Sequence, residues 1–223
     1  MKLLSNSLSK LLSPVSLLVC LVFLFSCSRT EPKIAFGFLE LVYYPGSAGT
    51  EERFTFFVLP EDDEGIENLA ELHLRHDREG LRWILTPEDW ISFEEEGRIW
   101  IGSRSIAMIG SEGLPRGLYR AILINKGGEK TERTFTFDAP ADSRLPFPVL
   151  KVNDDWYQIE SQYPSNKFIC YDAQGNAIRV ISLTGLGGAL SSLDIPQDAR
   201  SIALWAEDPE HLSSAMTDLV SVR

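Results

Sequence analysis

Histidine, cysteine and methionine each occur only three times in 223 residues, and these scarcities exclude much chemistry. His73 and His76 are the one close histidine pair. Positions three apart on a strand point to opposite faces, so the two rings do not converge on a metal, and no third ligand stands nearby in a recognisable spacing. There is no G-x-S-x-G, and Cys170 has no placed histidine, so the familiar serine and cysteine nucleophile contexts are missing. Thr184-Gly185-Leu186-Gly187-Gly188 lacks the Lys-Ser/Thr and the strand-to-helix setting of a phosphate loop. The 32 carboxylates are abundant but nominate no acid/base pair by their spacing. Positive charge is also scarce, with 21 Lys and Arg against those 32 acids. A nucleic-acid partner needs a basic footprint, and attraction to anionic headgroups needs a basic cluster; neither is present. The expectation is no catalytic residue, no metal, no cofactor and no nucleic-acid partner.

There is one long apolar run. Residues 15–25 are broken only by Ser16, with Lys2 and Lys10 before them. A spanning helix needs about 20 apolar residues and a secretory core about 7–15, so the run reads as a signal peptide, with an uncleaved anchor as the alternative. It ends in Leu24-Phe25-Ser26-Cys27. This tetrad resembles the lipobox of bacterial lipoproteins, with Leu24, Phe25 and Ser26 as the signal-peptidase recognition residues before Cys27. Cys20 fits less well, because Val19 before it is β-branched. The resemblance implies cleavage after residue 26, a thioether-linked diacylglycerol and an acylated amino group on Cys27, and the lipid bilayer as a partner. Each buried methylene is worth about 0.8 kcal/mol, and stable anchoring needs more than one chain, which such a cysteine carries. The implied place is the cell envelope. Ser28 after the cysteine, where an inner-membrane retention Asp would stand, favours the outer membrane. Losing Lys2 and Lys10 with the leader takes the net charge from −11 to about −13. It also leaves Cys170 without a cysteine to pair with, in an apolar run where it reads as a small buried hydrophobe.

Residues 27–33 form a lipidated tether. From 34 to 138 the pattern is all-β: strand candidates at 34–44, 53–59, 71–76, 81–85, 98–102, 105–109 and 131–137 are separated by turn residues. Thr86-Pro87-Glu88-Asp89 carries a helix-start signal, one turn ending near Trp90. In Pro115-Arg116-Gly117-Leu118-Tyr119, a tyrosine opens an alternating strand after Pro and Gly. This resembles the tyrosine corner of immunoglobulin-like sandwiches, with Trp83 in the place of their core tryptophan. The resemblance implies a structural role for Tyr119. Three prolines in 139–148 mark a stiff linker. Strand candidates at 149–152, 156–160, 167–171, 177–183, 189–193, 201–206 and 218–222 then suggest a second, smaller sandwich, immunoglobulin- or fibronectin type III-like. The fold class expected is all-β, two tandem sandwich domains (34–138 and 149–223). Without a disulfide, the small second one should lean on its neighbour.

Two surface features remain. Glu61-Asp62-Asp63-Glu64-Gly65 does not match EF-hand spacing and reads as a solvated acidic turn, with calcium an open alternative. The five tryptophans are the best functional lead. Trp100 and Trp156 sit on the polar side of their strands and are candidates for contacting a protein or a sugar ring; the alternative is that both strand faces are buried. The function expected is a non-catalytic binding or scaffold module of the envelope, contacting an envelope protein through sheet faces or loops. A glycan-binding, adhesin-like module using those tryptophans is the second reading and an envelope hydrolase the third.

Overall fold

The computed structural model describes residues 30–46, 49–109, 113–139 and 145–222. Leu24, Phe25, Ser26 and Cys27 lie outside them. The described residues form strands joined by turns and three short 3₁₀ segments. The first part contains β1 (Lys33–Gly46), β2 (Gly49–Glu61), β3 (Leu69–His76), β4 (Leu81–Leu85), β5 (Ile91–Glu95), β6 (Arg98–Ala107), β7 (Gly117–Asn125) and β8 (Lys130–Phe137). The second contains β9 (Val149–Asn153), β10 (Trp156–Glu160), β11 (Ser165–Tyr171), β12 (Ala177–Ser182), β13 (Gly187–Ala189), β14 (Ser201–Asp208), β15 (Ser213–Met216) and β16 (Val220–Ser221).

In the first sandwich β1-β2-β6-β5 packs on β4-β3-β7-β8. This arrangement is immunoglobulin-like, four strands on each side of the core. Period-2 alternation turns Leu41 and Tyr43 of β1, and Phe54, Phe56 and Val58 of β2, toward the core, where they meet Leu72, Leu74, Tyr119 and Leu123. Phe54 stands edge-on to Tyr119 and Phe137, ring centroids 5.2 and 4.5 Å away. Such pairs are worth about 0.5–1.5 kcal/mol each beyond the area they bury. The second sandwich packs β9-β10-β13 on β12-β11-β14, around Tyr157, Ile159, Phe168, Cys170, Ile202 and Leu204.

The two sandwiches share a sheet. β15 pairs antiparallel with β14 and parallel with β1, through Leu41–Ser213, Val42–Ser214 and Tyr43–Ala215. One sheet of nine strands, β12-β11-β14-β15-β1-β2-β6-β5 with β16 beside β14, therefore runs through both. The same side of it faces both cores: Ala206 and Ala215 lie in the first core, while Ile202 and Leu204, on the same face of β14, lie in the second. Tyr163 reaches into the first core, and Leu145 and Phe147 of the linker pack against it.

Three local expectations change. Of residues 189–193 only Ala189, the end of β13, is strand. Leu190–Ser192 is a 3₁₀ turn held by Asp155, whose Oδ1 accepts from the Ser191 amide at 2.8 Å and whose Oδ2 accepts from the Ser191 hydroxyl at 2.5 Å. β5 follows the Thr86–Asp89 turn as an edge strand; Glu96 and Gly97, both with positive φ, close its hairpin to β6. β15 had no sequence signature, because Ser213, Ser214 and Ala215 carry no alternation.

Candidate functional site

The smaller sheets cover one face of the large sheet; the described residues leave the other face open. Alternation puts Phe36, Phe38, Glu40, Val42 and Tyr44 of β1 on that open face, opposite the core-facing Leu41 and Tyr43. Across β2 the open face carries Thr55, Phe57 and Leu59, and across the seam it carries Lys167, Ile169, Tyr171, Trp205 and Glu207. A trough of about 430 Å³ lies along the seam, lined from both sandwiches.

One wall is aromatic. Phe57 is only 1% exposed although no sheet among the described residues covers it. Phe38 and Phe93 flank it at 5.7 and 5.0 Å between ring centroids. Trp100 lies parallel to Phe93, 6.2 Å away, and tilted against Phe38 at 5.8 Å. Gly102, opposite Phe57 in the ladder, makes this possible. A Cβ there would lie 1.9 Å from the Phe56 carbonyl oxygen and 2.8 Å from the Phe57 ring.

The floor is polar and mostly satisfied. Ser214 donates its hydroxyl to Glu40 Oε1 at 2.6 Å across the seam. Burial pushes the Glu40 carboxyl above its ordinary value, and the Ser214 bond only partly opposes this. Lys167 Nζ lies 2.6 Å from Glu207 Oε2 and 2.8 Å from Oε1, and Trp205 Nε1 donates to the same Oε1 at 2.8 Å. Burial would raise Glu207 too, but those bonds outweigh it and hold the carboxyl below its ordinary value.

Arg104 occupies the third part. A bulge between the Phe54 and Phe56 pairings inserts a residue in β6, and the Ser105 amide donates to Ser103 Oγ at 3.2 Å within it. The bulge brings the Arg104 guanidinium over the Phe57 ring, 6.0 Å from its centroid. Tyr44 and Tyr171 line the same trough, and burial raises both phenols above their ordinary value against the opposing pull of Arg104.

The residues singled out in the sequence fall in several places. Trp100 is half-buried in the aromatic wall, its Nε1 enclosed and without a hydrogen-bond partner among the described residues. Trp156 is 59% exposed on the outer face of the three-stranded sheet, directed away from Trp100. Tyr119 is fully buried and donates its hydroxyl to the Pro115 carbonyl at 2.7 Å, the geometry of a tyrosine corner. Next to it Arg116 grips both oxygens of Glu52, at 2.7 and 2.8 Å, tying the corner to β2. Trp83 packs against this core and donates to the Ala107 carbonyl at 3.0 Å. In the acidic turn, Asp62 Oδ1 accepts from the Glu64 amide at 2.9 Å and from Asn68 Nδ2 at 3.0 Å, closing its own loop. His73 lies 2.5 Å from Glu71 on the face of β3 turned away from the core, and His76 lies beside the Tyr119 ring; both are buried. Among the described residues no three His, Cys, Asp or Glu side chains gather as a metal set. Cys170 is fully buried in the second core, and burial raises its thiol.

Sequence reasoning missed Glu40, Tyr44, Arg104, Lys167, Tyr171 and Glu207 as a group. The available signal was the presence of large apolar residues on both faces of 34–44 and 53–59, which a strand with one solvated face does not show.

No family model matches the chain, and no curated protein does. Among solved structures, it is similar to the N-terminal Ig1-2 module of the Drosophila receptor protein tyrosine phosphatase DLAR, with 11% identity over 86% of this chain and 97% of that one and a TM-score of 0.44. It is also similar to the 47-kilodalton lipoprotein Tp47 of Treponema pallidum, with 13% identity over 88% of this chain, 52% of that one and a TM-score of 0.37. A third match is dimeric latent PorU of Porphyromonas gingivalis, with 16% identity over 86% of this chain, 20% of that one and a TM-score of 0.34. The chain thus spans about half of Tp47 and a fifth of PorU.

Proposed function

We propose that this protein is a lipid-anchored module of the cell envelope that binds a partner without transforming it, and that the open face of the nine-stranded sheet is its binding surface. The observation that carries the reading is the seam trough. A contiguous aromatic surface left uncovered on a large sheet marks an interaction site. The leader supports the anchor, with Cys27 as the lipid-bearing residue. The tether beyond it is short, and the Thr30 carbonyl accepts from Asn125 Nδ2 at 3.1 Å. A sandwich standing on such a tether works close to the bilayer. The outer membrane is the proposed location.

A photo-crosslinking side chain placed at Val180 on the trough rim, in the full-length chain in intact cells, tests the reading. The control position is Leu186, which is 56% exposed next to the three-stranded sheet. A discrete adduct from position 180 and none from 186 is the expected result. Equal labelling at both positions, or none at 180, overturns the assignment of the face. The same cells carrying Cys27→Ala should show the protein in the soluble fraction, and persistence in the membrane fraction overturns the lipid anchor.

A further inference from the structure

The trough has one end built differently from the rest, and that end names a class of ligand. Arg104, Tyr44 and Tyr171 line it from three strands, β6, β1 and β11, and so from both sandwiches. Arg104 has no carboxylate within ion-pair distance among the described residues, in a chain whose formal charge is −11. Several other arginines are matched: Arg116 grips Glu52, and Arg120 holds both Asp77 and Glu132. The Tyr44 hydroxyl has no hydrogen-bond partner among the described residues, and Tyr171 has only the Met216 sulfur at 3.9 Å. Both phenols keep their protons throughout the neutral range, since burial raises them, and so both can donate. One guanidinium and two phenolic O–H groups, with no oxygen or nitrogen acceptor among the described residues, line the same space.

We propose that this end of the trough is an anion site, and that the ligand is an amphipathic carboxylate whose acid group meets Arg104, Tyr44 and Tyr171 while an alkyl or aryl body lies along the trough. The inference rests on the reading of the trough as a binding surface. The charges around it agree. Of the two carboxylates in the lining, Glu207 is matched by Lys167, and Glu40 is pushed toward its neutral form by burial and bonded by Ser214. An incoming anion therefore meets Arg104, the one cation of the lining with no carboxylate partner among the described residues. The body has apolar walls on both sides, Phe38 and Phe57 on one and Ile169, Val180 and Met216 on the other. The volume of about 430 Å³ lies in the range of roughly 300–1,000 Å³ typical of small-molecule sites. A neutral sugar suits the site less well. Stacking on a sugar needs a free ring face, but Trp100 is stacked on Phe93, and the Trp205 N–H is already given to Glu207.

Two fluorescent probes differing only in charge test this: cis-parinaric acid and its methyl ester, titrated into the full mature chain. The acid should bind about 10-fold tighter than the ester or better, the margin expected for hydrogen bonds to a charged group. Arg104→Gln should bring the acid to the affinity of the ester and leave the ester unchanged. Arg104 is exposed, so the variant should keep the wild-type thermal transition. Tyr44→Phe with Tyr171→Phe should narrow the same gap without touching Arg104. Val180→Asp, on the rim, should weaken both probes. If neither probe binds the wild type, the anion site is overturned, while the trough as a partner surface is still decided by the crosslinking from position 180. If both bind equally and Arg104→Gln changes neither, the trough stands and the anion site is overturned.

Discussion

In the first sandwich, Phe54, Tyr119 and Phe137 form a three-ring cluster at the centre of the core, and the Tyr119–Pro115 bond and the Glu52–Arg116 pair lock its corner. In the second, one edge-on pair, Tyr157 and Phe168 at 5.1 Å, stands among aliphatics under a sheet of only three strands. The second also gives up part of its own material. Tyr163, Ala206 and Ala215 are buried in the first core. The small residues along β15 let it lie between β14 and β1, so the weaker sandwich gains an extra hydrogen-bonded neighbour where its own sheet would otherwise end. The two halves are therefore coupled through the seam, and the second, with the smaller core, is the weaker of them.

The largest effect should come from core truncation. Phe54→Ala and Phe168→Ala each remove a fully buried ring, at a cost of about 3–5 kcal/mol. They should differ in reach. Phe168→Ala should strip hydrogen-exchange protection from β9–β14 and spare β1–β8, whereas Phe54→Ala should lower protection in both. Equal, global loss from Phe168→Ala would show instead that the shared sheet makes the two sandwiches one cooperative unit.

A middle-sized effect separates the locked corner from plain packing. Tyr119→Phe keeps the ring and deletes only the hydroxyl that meets the Pro115 carbonyl, so urea unfolding should report a loss of about 1–3 kcal/mol. A loss below a few tenths would mean that the corner contributes shape without stability.

The smallest effect probes the seam itself. Glu40 faces Thr55 on β2, Ser214 on β15, Glu207 on β14 and Lys167 on β11, with Tyr44 on its own strand. Its carboxyl is raised in the folded protein, chiefly by burial. The folded state therefore holds this proton more tightly than the unfolded chain. The resulting stability is present below the ordinary carboxylate value and is lost as pH rises through the raised one. Glu40→Gln keeps an acceptor for Ser214 and removes the buried charge. It should raise the melting temperature at neutral pH by roughly 2 °C, with the gain vanishing in acid. A lower melting temperature at neutral pH would show that the charge, through Lys167, holds the seam together.

Much of the fold was legible because it rests on local rules. Alternation located most strands, and Pro115-Arg116-Gly117 ahead of Tyr119 announced the corner. The trough was not legible. Its residues come from β1, β2, β5, β6, β11, β12, β14 and β15, and their only common sign is that apolar side chains fall on both faces of strands expected to have one wet side. Tryptophan content nominated Trp100 and Trp156 together, but they belong to different faces of the molecule.

The all-β class, the place of the tyrosine corner, and the unpaired state of Cys170 within the chain if the leader is removed and Cys27 is lipidated could all be read from the sequence. These follow from side-chain period, turn chemistry and residue counts, which are local or additive. Only the tertiary structure decided that β15 joins β1, that both small sheets pack on one side of a common large one, and that Arg104 comes to face Tyr44 and Tyr171. A strand such as Ser213–Met216 has no preference strong enough to announce itself. It is a strand because backbone partners wait on both of its sides, and that is a property of the assembled sheet.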